Sequence, residues 1–94
     1  KRAGNPISAG RREPMKTITV QYFAILREQR GLTQEKLTTP AATLAALYEE
    51  LRARHHFTLP GDRVRAAVND EFVASAATLH EGDRVVFIPP VAGG

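Results

Sequence analysis

Between Lys16 and Tyr22, apolar and polar residues alternate, with Ile18, Val20 and Tyr22 on one side and Thr17, Thr19 and Gln21 on the other. A period of two over β-prone residues predicts a half-buried strand. The alternation breaks at Phe23-Ala24-Ile25-Leu26-Arg27-Glu28, which reads as a short helical turn stopped by Gly31. Leu32 to Thr38 predicts a second, polar strand with much of one side in water. From Thr43 to His55, Leu44, Leu47, Tyr48 and Leu51 recur at helical spacing behind an N-capping Thr43, and Glu49, Glu50, Arg52 and Arg54 fall on the outer side. Pro60-Gly61-Asp62 predicts a turn, Val64–Asn69 a third strand, and Asn69-Asp70-Glu71 a polar reversal into Phe72-Val73. Ala74 to Leu79 reads as a turn of helix, and Glu81-Gly82-Asp83 as a tight turn. Arg84 to Ile88 closes the series. Its apolar residues alternate onto both faces, which predicts a strand in the middle of a sheet. One amphipathic helix over a mixed sheet is the smallest two-layer arrangement for such a series, and it implies no cleft of catalytic size.

At 94 residues with 43% hydrophobic residues, the chain supports one small domain and one core. The boundaries expected are a disordered leader over 1–14, a folded domain over 15–88 and a C-terminal tail over 89–94. The formal net charge of +3 belongs to the leader, where Lys1, Arg2, Arg11 and Arg12 face Glu13 alone. From Met15 onward acidic and basic residues are equal in number, so no field is left to steer a polyanion, and nucleic-acid partners are not expected. The leader reads as an extension upstream of a start at Met15. An Arg-rich transit peptide is the weaker alternative, because the leader is short and interrupted by Gly4, Pro6 and Gly10. No apolar run approaches the roughly 20 residues of a membrane span, which leaves the cytosol as the expected compartment and no membrane partner. Cysteine is absent, which excludes disulfides, thiolate metal sites and any sulfur carried on a side-chain thiol.

The body offers no convincing catalytic set. His55 and His56 are adjacent and cannot converge as helix ligands do, His80 precedes a turn, and no metal site is expected. Ser8 and Ser75 lack a nucleophile-elbow context, and Asp70, Glu71, Glu81 and Asp83 are turn formers first. The candidate chemistry lies at the end, Phe87-Ile88-Pro89-Pro90-Val91-Ala92-Gly93-Gly94. Two prolines fix φ and remove donors, so the tail leaves the sheet as a stiff stalk. Two glycines without Cβ then form a slim end that can thread a narrow channel. Gly94 is the residue expected to carry chemistry, Gly93 to give clearance, and Pro89, Pro90, Val91 and Ala92 to guide the tail. Phe87 is a candidate for a partner interface, with sheet core as the competing role.

Val64-Arg65-Ala66-Ala67-Val68-Asn69, the Leu79–Val85 turn and the Pro-Pro-Val-Ala-Gly-Gly ending together resemble the small subunits of molybdopterin synthase, the MoaD sulfur carriers. The segment from Phe23 to Gly31 is similar as well, and the resemblance spans Met15 to Gly94. It implies an α+β, ubiquitin-like β-grasp fold, a mixed sheet packed on one main helix with a flexible C-terminal tail. It implies that an E1-like adenylyltransferase uses ATP to adenylate Gly94, that a sulfur donor converts it to a thiocarboxylate, and that the tail enters the large synthase subunit. There the sulfur passes to cyclic pyranopterin monophosphate. The chain then needs no permanently bound cofactor, is not catalytic alone, and works in a heterotetramer. A sulfur carrier for thiamine or cysteine synthesis, a protein modifier and an interaction module with an inert tail are the alternatives.

Overall fold

The computed structural model describes residues 15–90. The expectations for the leader and for Val91, Ala92, Gly93 and Gly94 therefore lie outside the described residues. Strand β1 (Lys16–Tyr22) leads to helix α1 (Ala24–Arg30), strand β2 (Gln34–Thr39) and helix α2 (Leu44–His55). A 3-10 turn (Gly61–Arg63) precedes strands β3 (Arg65–Val68), β4 (Glu71–Val73) and β5 (Arg84–Ile88). The five strands form one sheet in the order β2-β1-β5-β3-β4. Strands β1 and β5 are parallel, and the other neighbours are antiparallel. Strand β5 thus lies in the middle, as its two-sided apolar pattern predicts. This is a mixed sheet packed on one main helix, the ubiquitin-like β-grasp.

The alternation in β1 sends Ile18, Val20 and Tyr22 into the core, where they meet Leu44, Leu47 and Leu51 of α2 and Val85 and Phe87 of β5. Burial of these side chains drives the packing of α2 on the sheet. Tyr48 anchors an aromatic cluster, with ring centroids 5.2 Å from Phe87 and 5.9 Å from Phe57. Its hydroxyl donates to the Leu59 carbonyl at 2.8 Å, so a buried phenol keeps a partner. Thr43 caps α2 by accepting from the Ala46 N–H, and the helix ends at His56 in the left-handed region (φ 60°). Gly31, at φ 85°, ends α1 in the same way.

Two expectations change. The second strand starts at Gln34 rather than Leu32, and it lies at an edge. Ala74 to Leu79 forms no helix: Thr78 bridges Thr43, and the Ser75 and Ala77 carbonyls accept from the Ala45 and Leu44 N–H groups. This segment satisfies donors that every helix leaves unpaired at its N-terminus, so its own carbonyls are directed across the fold rather than along a helix. No helix among the described residues is long and apolar enough to cross a membrane.

Candidate functional site: the end of the central strand and the open sheet face

Strand β5 is held along both sides. Its register sets Phe87 beside Tyr22 of β1, and Ile88 beside Arg65 of β3. Its first residues are pinned by a dense turn. The Asp83 carboxylate, buried to 8% exposure, accepts from Asn69 Nδ2 at 3.1 Å and from the His80 N–H at 2.8 Å. Asn69 Oδ1 accepts from the Arg84 N–H, and Glu81 Oε1 accepts from the Thr17 N–H. Gly82 takes φ 84°, a region open to glycine at little cost, and its N–H donates to the Thr17 carbonyl. Asp70, Glu81 and Asp83 are therefore turn and strand-end groups, Asp70 pairing with Arg84.

The chain leaves the sheet at Pro89, which is half-buried, and Pro90, which is exposed. Neither offers an N–H to a neighbouring strand, so pairing stops at Ile88, and Pro89 and Pro90 leave the sheet at its middle rather than at an edge. Phe87 is 2% exposed and belongs to the core, its ring edge-on to Tyr48. What remains of its surface lines a groove beside Tyr48.

The face of the sheet opposite α2 has no helix on it. Asn69 and Asp70 both take positive φ in a two-residue turn, which sets Ala67 beside Phe72, and Ala67 beside Val86 on its other side. Val86 in turn lies beside Gln21. Phe72 ends this row 61% exposed, with the Arg65 guanidinium 4.6 Å from its ring centre. Where β1 ends, Phe23 (39% exposed) and Ile25 (38%) flank Ala24, which takes φ 54°. A non-glycine residue there carries strain of order 1 kcal/mol, and the bend keeps both apolar side chains at the surface. Sequence reasoning placed Phe72 only in a strand. The signal that finds this face is the Asn69-Asp70 turn, because it fixes the register that aligns Phe72, Ala67 and Val86.

A groove of about 420 Å³ opens on the other side, floored by Tyr48, Val64 and Phe87 and rimmed by Glu49, Asp62 and Ser75. No cleft of this size was implied by the sequence; Gly61 and Asp62 of the 3-10 turn and Leu44, Ala45 and Tyr48 of α2 line it together. Tyr22 and Arg30 converge on Glu35, with bonds of 2.6 Å from the Tyr22 hydroxyl and 2.7 and 2.8 Å from Arg30. Arg30 holds the Glu35 carboxyl down at about 2, against its own burial. Burial, then Glu35, push the Tyr22 phenol well above its ordinary range. His55 lies 5.8 Å from the Phe57 ring, and burial lowers its pKa. No group of three His, Cys, Asp or Glu side chains comes together to hold a metal among the described residues.

The profile of the ThiS family matches residues 20–94. The molybdopterin synthase sulfur carrier subunit of Escherichia coli is 35% identical over 80 residues, covering 82% of this chain and 99% of that protein. The chain belongs to the ThiS family. Among solved structures, a putative molybdopterin converting factor subunit 1 from Pyrococcus furiosus superposes with a TM-score of 0.68 at 31% identity, covering 81% of this chain and 99% of that one. A chain of the BexX/CysO complex of Amycolatopsis orientalis matches with a TM-score of 0.60 at 26% identity, covering 82% and 99%. The family match begins inside β1, at Val20, and runs through the rest of the sheet to Gly94.

Proposed function

We propose that this chain is a sulfur carrier, the small subunit of a molybdopterin synthase, and that Gly94 is its working residue. The observation that carries the reading is a central strand, pinned on both sides, that runs into Pro89-Pro90 and a diglycine end. Its relatives support it, the E. coli protein being a molybdopterin synthase sulfur carrier subunit. A carboxylate is a poor acyl donor, so an E1-like adenylyltransferase activates Gly94 with ATP, forming an acyl-adenylate and releasing pyrophosphate. Sulfur delivered by a donor at the sulfide level attacks the acyl carbon, breaks its bond to AMP and leaves a thiocarboxylate. Carrying sulfur on the main-chain terminus accounts for a carrier without cysteine.

The body of the protein performs no chemical step. It presents the tail at a fixed place and direction, and the prolines lower the entropy lost when the tail is ordered in a partner. The large synthase subunit receives the tail, and the thiocarboxylate gives its sulfur to cyclic pyranopterin monophosphate there. The open face beside the tail, with Phe72, Val86 and Ile88, is the surface that a tail-receiving protein covers. The test is incubation with the E1-like enzyme and ATP. The native chain forms an acyl-adenylate, and a variant extended by one residue beyond Gly94 forms none; equal adenylation of the extended variant would refute the proposal.

A further inference from the structure

Arg30, Arg52, Arg54 and Arg84 each hold a carboxylate of this chain. Arg65 pairs with no carboxylate among the described residues; its guanidinium lies over the Phe72 ring instead. That ring is the most exposed of the large apolar side chains on the sheet. Register sets Arg65 directly beside Ile88, the last residue of the central strand. From Ile88 to Gly94 the chain can extend at most about 20 Å, so a protein that holds Gly94 in its own site comes within that distance of the strand end beside Arg65. Stacking on Phe72 restricts the guanidinium before any partner arrives and leaves its donor edge free, the arrangement that suits two-pronged binding of a carboxylate.

We propose that Arg65 is the specificity-determining contact of the docking face. It meets a carboxylate on the large subunit that receives the tail, while Phe72 enters an apolar seat beside that carboxylate. The inference rests on the sulfur-carrier reading above and adds the chemistry of the partner: an acidic residue next to an apolar pocket, placed where the tail enters. A water-exposed charge at the edge of an interface acts chiefly on the rate of association and on its salt dependence, and a reversed charge is rejected more strongly than a neutral one.

The test measures binding of the full chain to the large synthase subunit from the same organism, at low and at high salt, for the native protein, R65Q, R65E and F72A. Arg65 is exposed, so all the Arg65 variants are expected to keep the native thermal midpoint. R65Q is expected to bind about tenfold more weakly at low salt, and R65E on the order of 100-fold more weakly, mainly through slower association. The difference between native protein and R65Q is expected to shrink at high salt, whereas the loss in F72A persists there. R65E binding as tightly as the native protein at low salt overturns the proposal while leaving the carrier reading in place. Failure of the native chain itself to bind the large subunit removes the carrier reading and this inference with it.

Discussion

The two faces of the sheet are built from the same strands and put to opposite uses. On one, Ile18, Val20, Tyr22, Val85 and Phe87 are covered by α2 and nearly devoid of exposure. On the other, Val86 and Ala67 are sheltered by neighbouring side chains, and Phe72 stands out at the end of their row. Alternation along β5 divides its residues between these faces. Because successive side chains point opposite ways, one five-residue strand supplies both the centre of the core and the floor of an open surface. On the function proposed here, the helix side supplies stability and the open side recognition, and the strand that joins them leads to the tail. A change on one face is therefore expected to leave the other's property intact.

Extending the chain by one residue beyond Gly94 makes the largest and cleanest separation. Activation by the E1-like enzyme is expected to vanish, while the thermal midpoint stays at the native value; a scanning calorimetry run beside the adenylation assay checks both. On the helix side, Leu51→Ala or Leu47→Ala is expected to cost about 2–5 kcal/mol, a large part of a small domain's stability, read from urea titration. The folded fraction of either variant retains partner binding, since neither residue reaches the open face.

The Glu35 cluster sharpens the stability half. The folded carboxyl titrates at about 2, below its ordinary value of 4.5, so the ion pair with Arg30 adds stability that is complete above pH 4.5 and lost as pH falls towards 2. Glu35→Gln is expected to lower stability at pH 7 and to flatten its decline between pH 4.5 and 2, by denaturant titration at each pH. The smallest effect is on the open side. Phe72→Ala is expected to change stability by no more than about 0.5 kcal/mol, as a surface substitution does, while weakening partner binding.

Much of this fold is legible in the chain because its signals are local. The alternation in β1, the Thr43 cap and the Leu44–Leu51 stripe each report an element without reference to the rest of the molecule. The central place of β5 is readable too, since a strand with apolar residues on both sides has to be covered on both. What stayed hidden depends on partners distant in sequence. Ala74 to Leu79 looks helical by composition, but its carbonyls are taken by the first N–H groups of α2. Glu35 reads as a solvated charge in a polar strand and is fastened by Arg30 and Tyr22. Phe87 offered itself equally to core and interface, and only the packing of Tyr48 against it decides for the core. At the site, the tail was conspicuous from residue type alone. The docking face was not, because Phe72, Ala67 and Val86 form a row only once the Asn69-Asp70 turn has set the register.

The most direct measurement is the intact mass of the full chain purified natively from cells that contain the activating enzyme and a sulfur source, followed by fragmentation of its C-terminal peptide. A fraction heavier by the difference between sulfur and oxygen, localised to Gly94, is the predicted result. An unmodified terminus in every molecule, under conditions in which the activating enzyme is shown to be active, would contradict the account.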